Sequence, residues 1–145
     1  MTIMFTFLAV LLVDQLTKYL VVTNFFVGKS IPIIEDVFHL TYVRNQGAAF
    51  GIMQGQQLFF IVVTIAIIVA VIIFYKELPL HNIMNRIALG LILGGAIGNL
   101  IDRIRLGYVI DFIDLRVWPV FNVADSAVVI AVVILSYWLL IIDNN

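Results

Sequence analysis

The residues from Leu58 to Tyr75 form an apolar run of 18 in which Thr64 is the one polar break. At about 1.5 Å per residue, a helix of that length reaches about 27 Å, close to the hydrocarbon thickness of a bilayer. Backbone amides inside lipid must find partners within their own segment, so such a run can cross only as a helix or as part of a closed barrel. Similar stretches lie near 3–23, 83–103 and 122–142. They predict a membrane protein, mainly α, with four transmembrane helices at about 3–23, 58–75, 83–103 and 122–142. Charged residues are 12% of the chain, against about 25% in ordinary soluble domains, which excludes that class. The length, 1–145, suits one integral membrane domain.

Other classes are excluded by what the chain lacks. Its net charge of -1 offers no basic surface for nucleic acid. It has no cysteine, and its two histidines, His39 and His81, are far apart, so neither a metal nor a cofactor site is expected. The first apolar run has no basic leader or small-residue cleavage site and is expected to be retained as a helix. Within it Asp14 and Lys18 are four apart, on one helical face, and can pair. That pair reads either as an internal ion pair docking two helices or as a contact to substrate.

The connector 24–57 is too polar to span and too apolar for a mere linker. In Val37 to Asn45, Phe38, Leu40 and Tyr42 alternate with His39 and Thr41, as a strand requires. Pro32 suits the edge of a sheet or the turn before it. A small extramembrane β-sheet resting on the membrane surface is expected. KELPLHNIMNR (76–86) is a polar turn in which Pro79 stops one helix and Asn82 caps the next. In the third run Gly90, Gly94, Gly95, Ala96 and Gly98 give a small-residue side for close helix approach. Trp118 and Trp138 lie near the two ends of the last run, as interfacial aromatics do.

The stretch from Asn99 to Ser126 carries the chemistry. It holds Asp102, Asp111, Asp114 and Asp125, four of the nine acidic residues. A carboxylate at the centre of a spanning helix costs about 2.5–3.5 kcal/mol on insertion scales, so its presence suggests function. Asn99 and Asp102 share one helical face, as do Asn122 and Asp125. GYVIDFIDLRVWP reads as a short strand or an irregular return, and the 13 residues between Asp111 and Asp125 can bring the two carboxylates together. Carboxylates in contact share a proton, one serving as base on a water while the other polarises a carbonyl. Helix caps and ion pairs would use the same residues, as would proton conduction through a small bundle. A transporter needs polar residues throughout its spans, whereas a non-catalytic subunit would leave the aspartates replaceable.

DQLTK (14–18), NQGAAFGI (45–52), GGAIGNLIDRIRLGYVIDFID (94–114) and FNVADSA (121–127) together resemble the bacterial lipoprotein signal peptidases, also called signal peptidase II. The pieces occur in the family's order along the whole chain. The resemblance implies a four-helix aspartyl endopeptidase of the bacterial cytoplasmic (inner) membrane, working as a monomer without cofactor or metal. Its substrate would be a diacylglyceryl-modified prolipoprotein, cleaved just before the lipidated cysteine. The implied catalytic pair is Asp111 and Asp125. Asp14, Lys18, Asn45, Asn99, Asp102, Arg103 and Asn122 are implied as supporting or substrate-binding positions. The 24–57 segment would form the sheet and a short lid helix on the outer face, with Phe50 in the lid, and globomycin would inhibit.

Four spans place both termini on one side and the connectors 24–57 and 104–120 on the other. A plain lysine and arginine count would put those connectors in the cytoplasm, because Lys29, Arg44, Arg103, Arg105 and Arg116 outnumber Lys76 and Arg86. The resemblance implies the reverse. Single cysteines introduced at Lys29 and Asn82 decide it. An impermeant thiol reagent reaching only the outer face should label position 29 and spare position 82, and the opposite pattern would restore the charge count.

Overall fold

A computed structural model of the chain describes residues 1–47 and 53–142. Its helices are α1 (Thr2–Asn24), α2 (Gln57–Ile73), α3 (Ile83–Leu106) and α4 (Val123–Tyr137), the last widening into a π turn at Trp138–Ile142. Three helices, Thr2–Asn24, Ile83–Leu106 and Val123–Leu140, are long and apolar enough to cross a membrane; Gln57–Ile73 is a shorter apolar helix of 17 residues. That length lies at the lower limit of about 17–25 residues for a span. Pro79 is not what ends α2. The chain leaves helical geometry at Phe74, whose N–H still bonds the Ala70 carbonyl, and passes through a 3₁₀ turn at Tyr75–Glu77.

α3 is the central helix. It begins where the Asn82 side chain accepts from the Met84 N–H at 2.9 Å, and ends at Gly107, whose φ of 76° reverses the chain toward the sheet. Its glycines set how closely its neighbours lie. A methyl group at Gly90 would stand 2.7 Å from Thr6 Cβ, and one at Gly98 would stand 2.6 Å from Asp14 Oδ2. On another side, a Cβ at Gly95 would collide with the Ala124 carbonyl oxygen. Lipid tails are as apolar as leucine, so helices in a bilayer associate through such close backbone packing rather than by hiding from water. The glycines thus draw α1 and α4 against α3 at the level of its buried polar residues.

The strands β1 (Ser30–Ile34), β2 (Phe38–Asn45) and β3 (Val109–Asp114) form one antiparallel sheet in the order β1-β2-β3. β2 matches the alternation in the sequence, and β3 resolves the return segment as a strand. Pro32 lies in the edge strand, where its missing N–H breaks no ladder. Tyr42, Ile110 and Phe112 bury one face of the sheet against Val21 of α1. Pairing of Val43 with Asp111 and of Asn45 with Val109 sets Asp111 beside Asn45.

The two tryptophans differ. Trp118 is 57% exposed, whereas Trp138 is buried with its ring 5.9 Å from that of His81. Trp138 therefore packs against the polar turn 76–86 at the end of its helix. Within the 24–57 segment expected to carry the lid helix, residues 48–52, Phe50 among them, lie outside the described residues.

Helix approach gives a direct test. Gly95→Ala should cost about 1–3 kcal/mol, the usual range for overpacking, because the Ala124 carbonyl cannot retreat without α4. Gly28→Ala, with φ of 85° and nothing within 4 Å of the new methyl, should cost about 1 kcal/mol from its backbone alone. Thermal unfolding in detergent checks both, and equal losses would refute the close-packing role of Gly95.

Candidate active site

Lys18 anchors the site. An ammonium offers three donors and no acceptor, and burial obliges each donor to find an oxygen. Lys18 Nζ lies 2.9 Å from Asp14 Oδ2, 2.9 Å from Asp102 Oδ2 and 2.8 Å from Asn99 Oδ1, at 2% exposure. The i,i+4 pair foreseen on α1 is therefore one half of a link between α1 and α3. Asp14 Oδ1 accepts the Ala124 N–H of α4 at 3.0 Å, and Asp102 Oδ2 accepts the Ile110 N–H of β3 at 3.2 Å. These two carboxylates tie together α1, α3, β3 and α4 beside the site.

The network continues through two asparagines. With its oxygen turned to Lys18, Asn99 points its amide nitrogen at Asp125 Oδ1, 2.7 Å away. Asn122 forms a reciprocal cap with Asp125: its side-chain oxygen accepts the Asp125 N–H at 2.9 Å, and Asp125 Oδ2 accepts the Asn122 N–H at 3.2 Å. The amide nitrogen of Asn122 donates to Asp111 Oδ1 at 2.6 Å, and Asn45 donates to Asp111 Oδ2 at 2.8 Å. Asn122 thus touches both aspartates. Among the described residues each oxygen of the pair holds a single donor and retains capacity for water or substrate.

Asp111 is 1% exposed. Burial, and next the charge of Asp125, push its carboxyl up to about 7, against the hydrogen bonds from Asn45 and Asn122. Asp114 differs. Its partial burial alone would raise it, but donation from the Thr41 hydroxyl at 2.7 Å and from Arg116 brings it below the usual carboxylate range. Asp114 remains an anion fixed on the opposite face of β3, bonded to Thr41 and Arg116 and apart from Asp111 and Asp125.

Asp111 and Asp125 share the wall of a cavity of about 310 Å³ with Asn45, Asn99 and Arg103. Arg103 is half-buried, its guanidinium 5.1 Å over the Phe60 ring, and it links α3 to α2 beside the aspartates. Asp14, Lys18 and Asp102 support the cavity from behind. Gln15 escaped the sequence reading although it lies inside DQLTK: its amide reaches Asp14 Oδ2 at 3.1 Å, the Gly98 carbonyl at 3.2 Å and Asp102 Oδ1 at 3.3 Å. Its place one residue after Asp14, on the side of α1 that meets α3, was the available signal. Thr64, the one polar residue within the α2 run, spends its hydroxyl on the Phe60 carbonyl at 2.7 Å, so α2 offers no polar path of the kind a transporter needs. Among the described residues no group of three or more acidic or histidine side chains is arranged to hold a metal ion.

Comparison with known proteins shows the family of this chain. The family model described as signal peptidase (SPase) II matches residues 6–141. A lipoprotein signal peptidase of Moorella thermoacetica is 51% identical over 134 residues, covering 92% of this chain and 89% of that protein. One from Halothermothrix orenii is 54% identical over 133 residues, covering 90% and 91%. A bacterial membrane enzyme solved by the in meso method at 2.3 Å superposes with a TM-score of 0.90 at 37% identity, covering 96% of this chain and 87% of that one. With nearly its whole length matched in sequence and in fold, this chain belongs to the signal peptidase II family, peptidases of the aspartic type.

Proposed function

We propose that this protein cleaves diacylglyceryl-modified prolipoproteins just before the lipidated cysteine, with Asp111 and Asp125 as the catalytic dyad. The observation that carries this reading is the convergence of the two carboxylates on one cavity, joined through Asn122. The dyad holds one shared proton. The ionised member removes a proton from water as its oxygen attacks the scissile carbonyl, and the protonated member donates to the carbonyl oxygen. As the tetrahedral adduct collapses, the member that took the water proton passes it to the departing amide nitrogen, and the former carbonyl hydroxyl returns its proton to the other member, so the amine leaves and the dyad again holds one proton. Asn45, Asn99 and Asn122 hold the carboxylates in place through these steps, and Arg103 gives the cavity a positive wall.

α2 serves as a fourth span, short enough to need some thinning of the bilayer or snorkelling at its ends. The site then faces outward from the cytoplasmic membrane, with the whole chain acting as one domain and as a monomer. The adverse charge count has a physical answer. Arg116 pairs with Asp114 at 3.1 Å, Arg44 stacks 4.8 Å over Tyr108, Arg103 covers Phe60, and Lys29 lies 4.8 Å from the Phe25 ring centroid. Cations committed to local partners on a folded surface are poor guides to orientation. Globomycin is expected to compete for the same cavity.

Cleavage of a lipidated substrate by matched, folded variants tests the dyad. Asp111→Asn and Asp125→Asn should each lose about 10³-fold or more in kcat, and the double variant should be little worse, since residues acting as a unit are not additive. Asp114→Asn should keep most of its turnover. Robust activity in either dyad variant would sink the assignment.

The raised Asp111 sets the pH dependence. The folded state binds a proton there up to about pH 7, whereas the unfolded chain releases it near pH 4. Activity should therefore fall as pH rises through about 7, when the shared proton is lost. Stability should decline between about pH 4 and 7 for the same reason, and Asp111→Asn should unfold at a higher temperature than the parent at pH 8. A flat activity profile from pH 6 to 9 would contradict this.

Lys18→Met separates support from chemistry. It should lower stability by about 3–5 kcal/mol, because two buried carboxylates lose their cation, yet leave measurable cleavage. Complete loss of turnover in a stable Lys18→Met protein would move Lys18 into the reaction itself.

A further inference from the structure

The proposed cleavage raises a steric question. Only a Cα and a Cβ separate the scissile nitrogen from the thioether sulfur that carries the lipid. Wherever the aspartates grip the scissile bond, the diacylglyceryl group must leave the site within a few ångströms of them. The walls around Asp111 and Asp125 should therefore include one apolar exit open to lipid.

A groove among the described residues meets this demand. A hollow of about 440 Å³ runs along the outer side of α4, lined by Leu115, Trp118, Phe121, Ser126, Val129 and Ile130, and reaches Asp125. It shares Trp118, Phe121, Asp125 and Val129 with the cavity that holds the dyad, so the two are continuous at the reacting carboxylate. Their characters differ. The dyad cavity also presents Asn45, Asn99 and Arg103, partners that a peptide backbone needs, while the groove is walled almost wholly by hydrocarbon. Leu115, Trp118, Val129 and Ile130 are exposed neighbours along this side, at 40%, 57%, 62% and 52%. The groove thus opens sideways, onto the surface that α4 would turn to lipid. Ser126 keeps its floor narrow, its hydroxyl turned back to the Asn122 carbonyl at 2.9 Å.

Two further hollows fit less well. An apolar groove of about 480 Å³ lies between α1, α2 and α3, lined by Ile3, Phe7, Ile72, Tyr75 and Leu89. On α3 its lining runs from Leu89 through Leu93 to Ile97, and it reaches neither Asp111 nor Asp125, as a group tied so closely to the scissile bond requires. A smaller hollow beside Lys18 and Asp102 is flanked by Gln15 and Arg105, a wall unsuited to hydrocarbon.

We infer that the groove formed by Leu115, Trp118, Phe121, Ser126, Val129 and Ile130 receives an acyl chain of the lipidated cysteine, while the peptide occupies the Arg103 side of the dyad cavity. This rests on the proposed cleavage and adds the direction in which the substrate lies. An acyl chain arriving from the bilayer is already out of water, so the groove gains through packing rather than through the hydrophobic effect. Its service is orientation: a chain laid along α4 fixes the cysteine's Cβ and hence the scissile carbonyl relative to Asp125.

The test uses synthetic lipopeptides whose cysteine carries either dihexadecanoyl- or dibutyrylglyceryl, at equal surface mole fraction in mixed micelles. The parent protein should prefer the long chains. Ile130→Trp, which fills the groove from its exposed rim, should lose about tenfold in kcat/KM for the long-chain substrate, mainly through KM, and stay within about twofold for the short one. Ile72→Trp, which fills the distant groove, should preserve the preference. A long-chain substrate tipped with a diazirine should crosslink to Leu115, Ser126 or Ile130 in Asp111→Asn protein. The inference is overturned if Ile130→Trp leaves the preference intact or depresses both substrates equally, if Ile72→Trp abolishes the preference, or if crosslinks fall on Ile3–Phe7 or Val71–Tyr75. In each of those cases the parent still cleaves and the proposed function stands. Failure of the parent to cleave either lipopeptide would remove that function, and the groove assignment with it.

Discussion

A single buried ammonium holds this structure to its purpose. Lys18 has no acceptor to offer, so Asp14, Asp102 and Asn99 must all turn oxygens toward it. For the carboxylates this joins α1 to α3. For Asn99 it decides which way the amide faces, and the nitrogen left over can only point toward Asp125. The geometry of a carboxylate on α4 is thereby set by a cation on α1. Ions in a medium of low dielectric are costly to strand, and that cost makes the arrangement rigid rather than merely favourable.

The glycines of α3 and this polar cluster depend on one another. Hydrogen bonds of about 3 Å between helices require backbones closer than bulky side chains permit. Gly98 lies so near the Asp14 carboxylate that no methyl group fits between them, and Gly95 lies against the carbonyl of Ala124, one residue before Asp125. Small residues make room for the polar contacts, and those contacts then give the apolar helices a fixed register that packing alone leaves loose. A helix pair that slid by a turn would separate Lys18 from Asn99 and Asp14 from Ala124 together.

Much of this was legible in the sequence because two simple periodicities carry it. The apolar runs gave the helices, and alternation from Phe38 to Tyr42 gave β2. The quoted motifs contain Asn45, Asn99, Arg103 and Asn122, which surround Asp111 and Asp125, whereas Trp118, Pro119, Val120, Val128 and Val129 of the cavity wall lie outside them. What escaped was set by neighbours distant along the chain. Gln15 reads as a surface glutamine until α3 lies beside it, because its partners are 83 and 87 residues away. Nothing local marks Trp138 as a partner of His81, 57 residues before it. The end of α2 was misplaced because proline is a strong signal and the gradual loss of helical geometry from Phe74 through Tyr75–Glu77 leaves no mark in composition. Asp114 was separable from Asp111 only through strand alternation, which demanded that β3 be a strand in the first place.

The outer strand of the sheet has a further consequence. All five residues of β1 are exposed, and the strand is an edge, which ordinarily invites another strand to pair with it. Proteins confined to a membrane share a plane and often an orientation, so two copies meet edge to edge far more often than they would in solution. Pro32 removes one donor from that edge, and the register shift between Pro32 and Ile34 bends what remains. The strand completes its own sheet while presenting an interrupted ladder to its neighbours, which guards a crowded two-dimensional population against zipping into lateral aggregates.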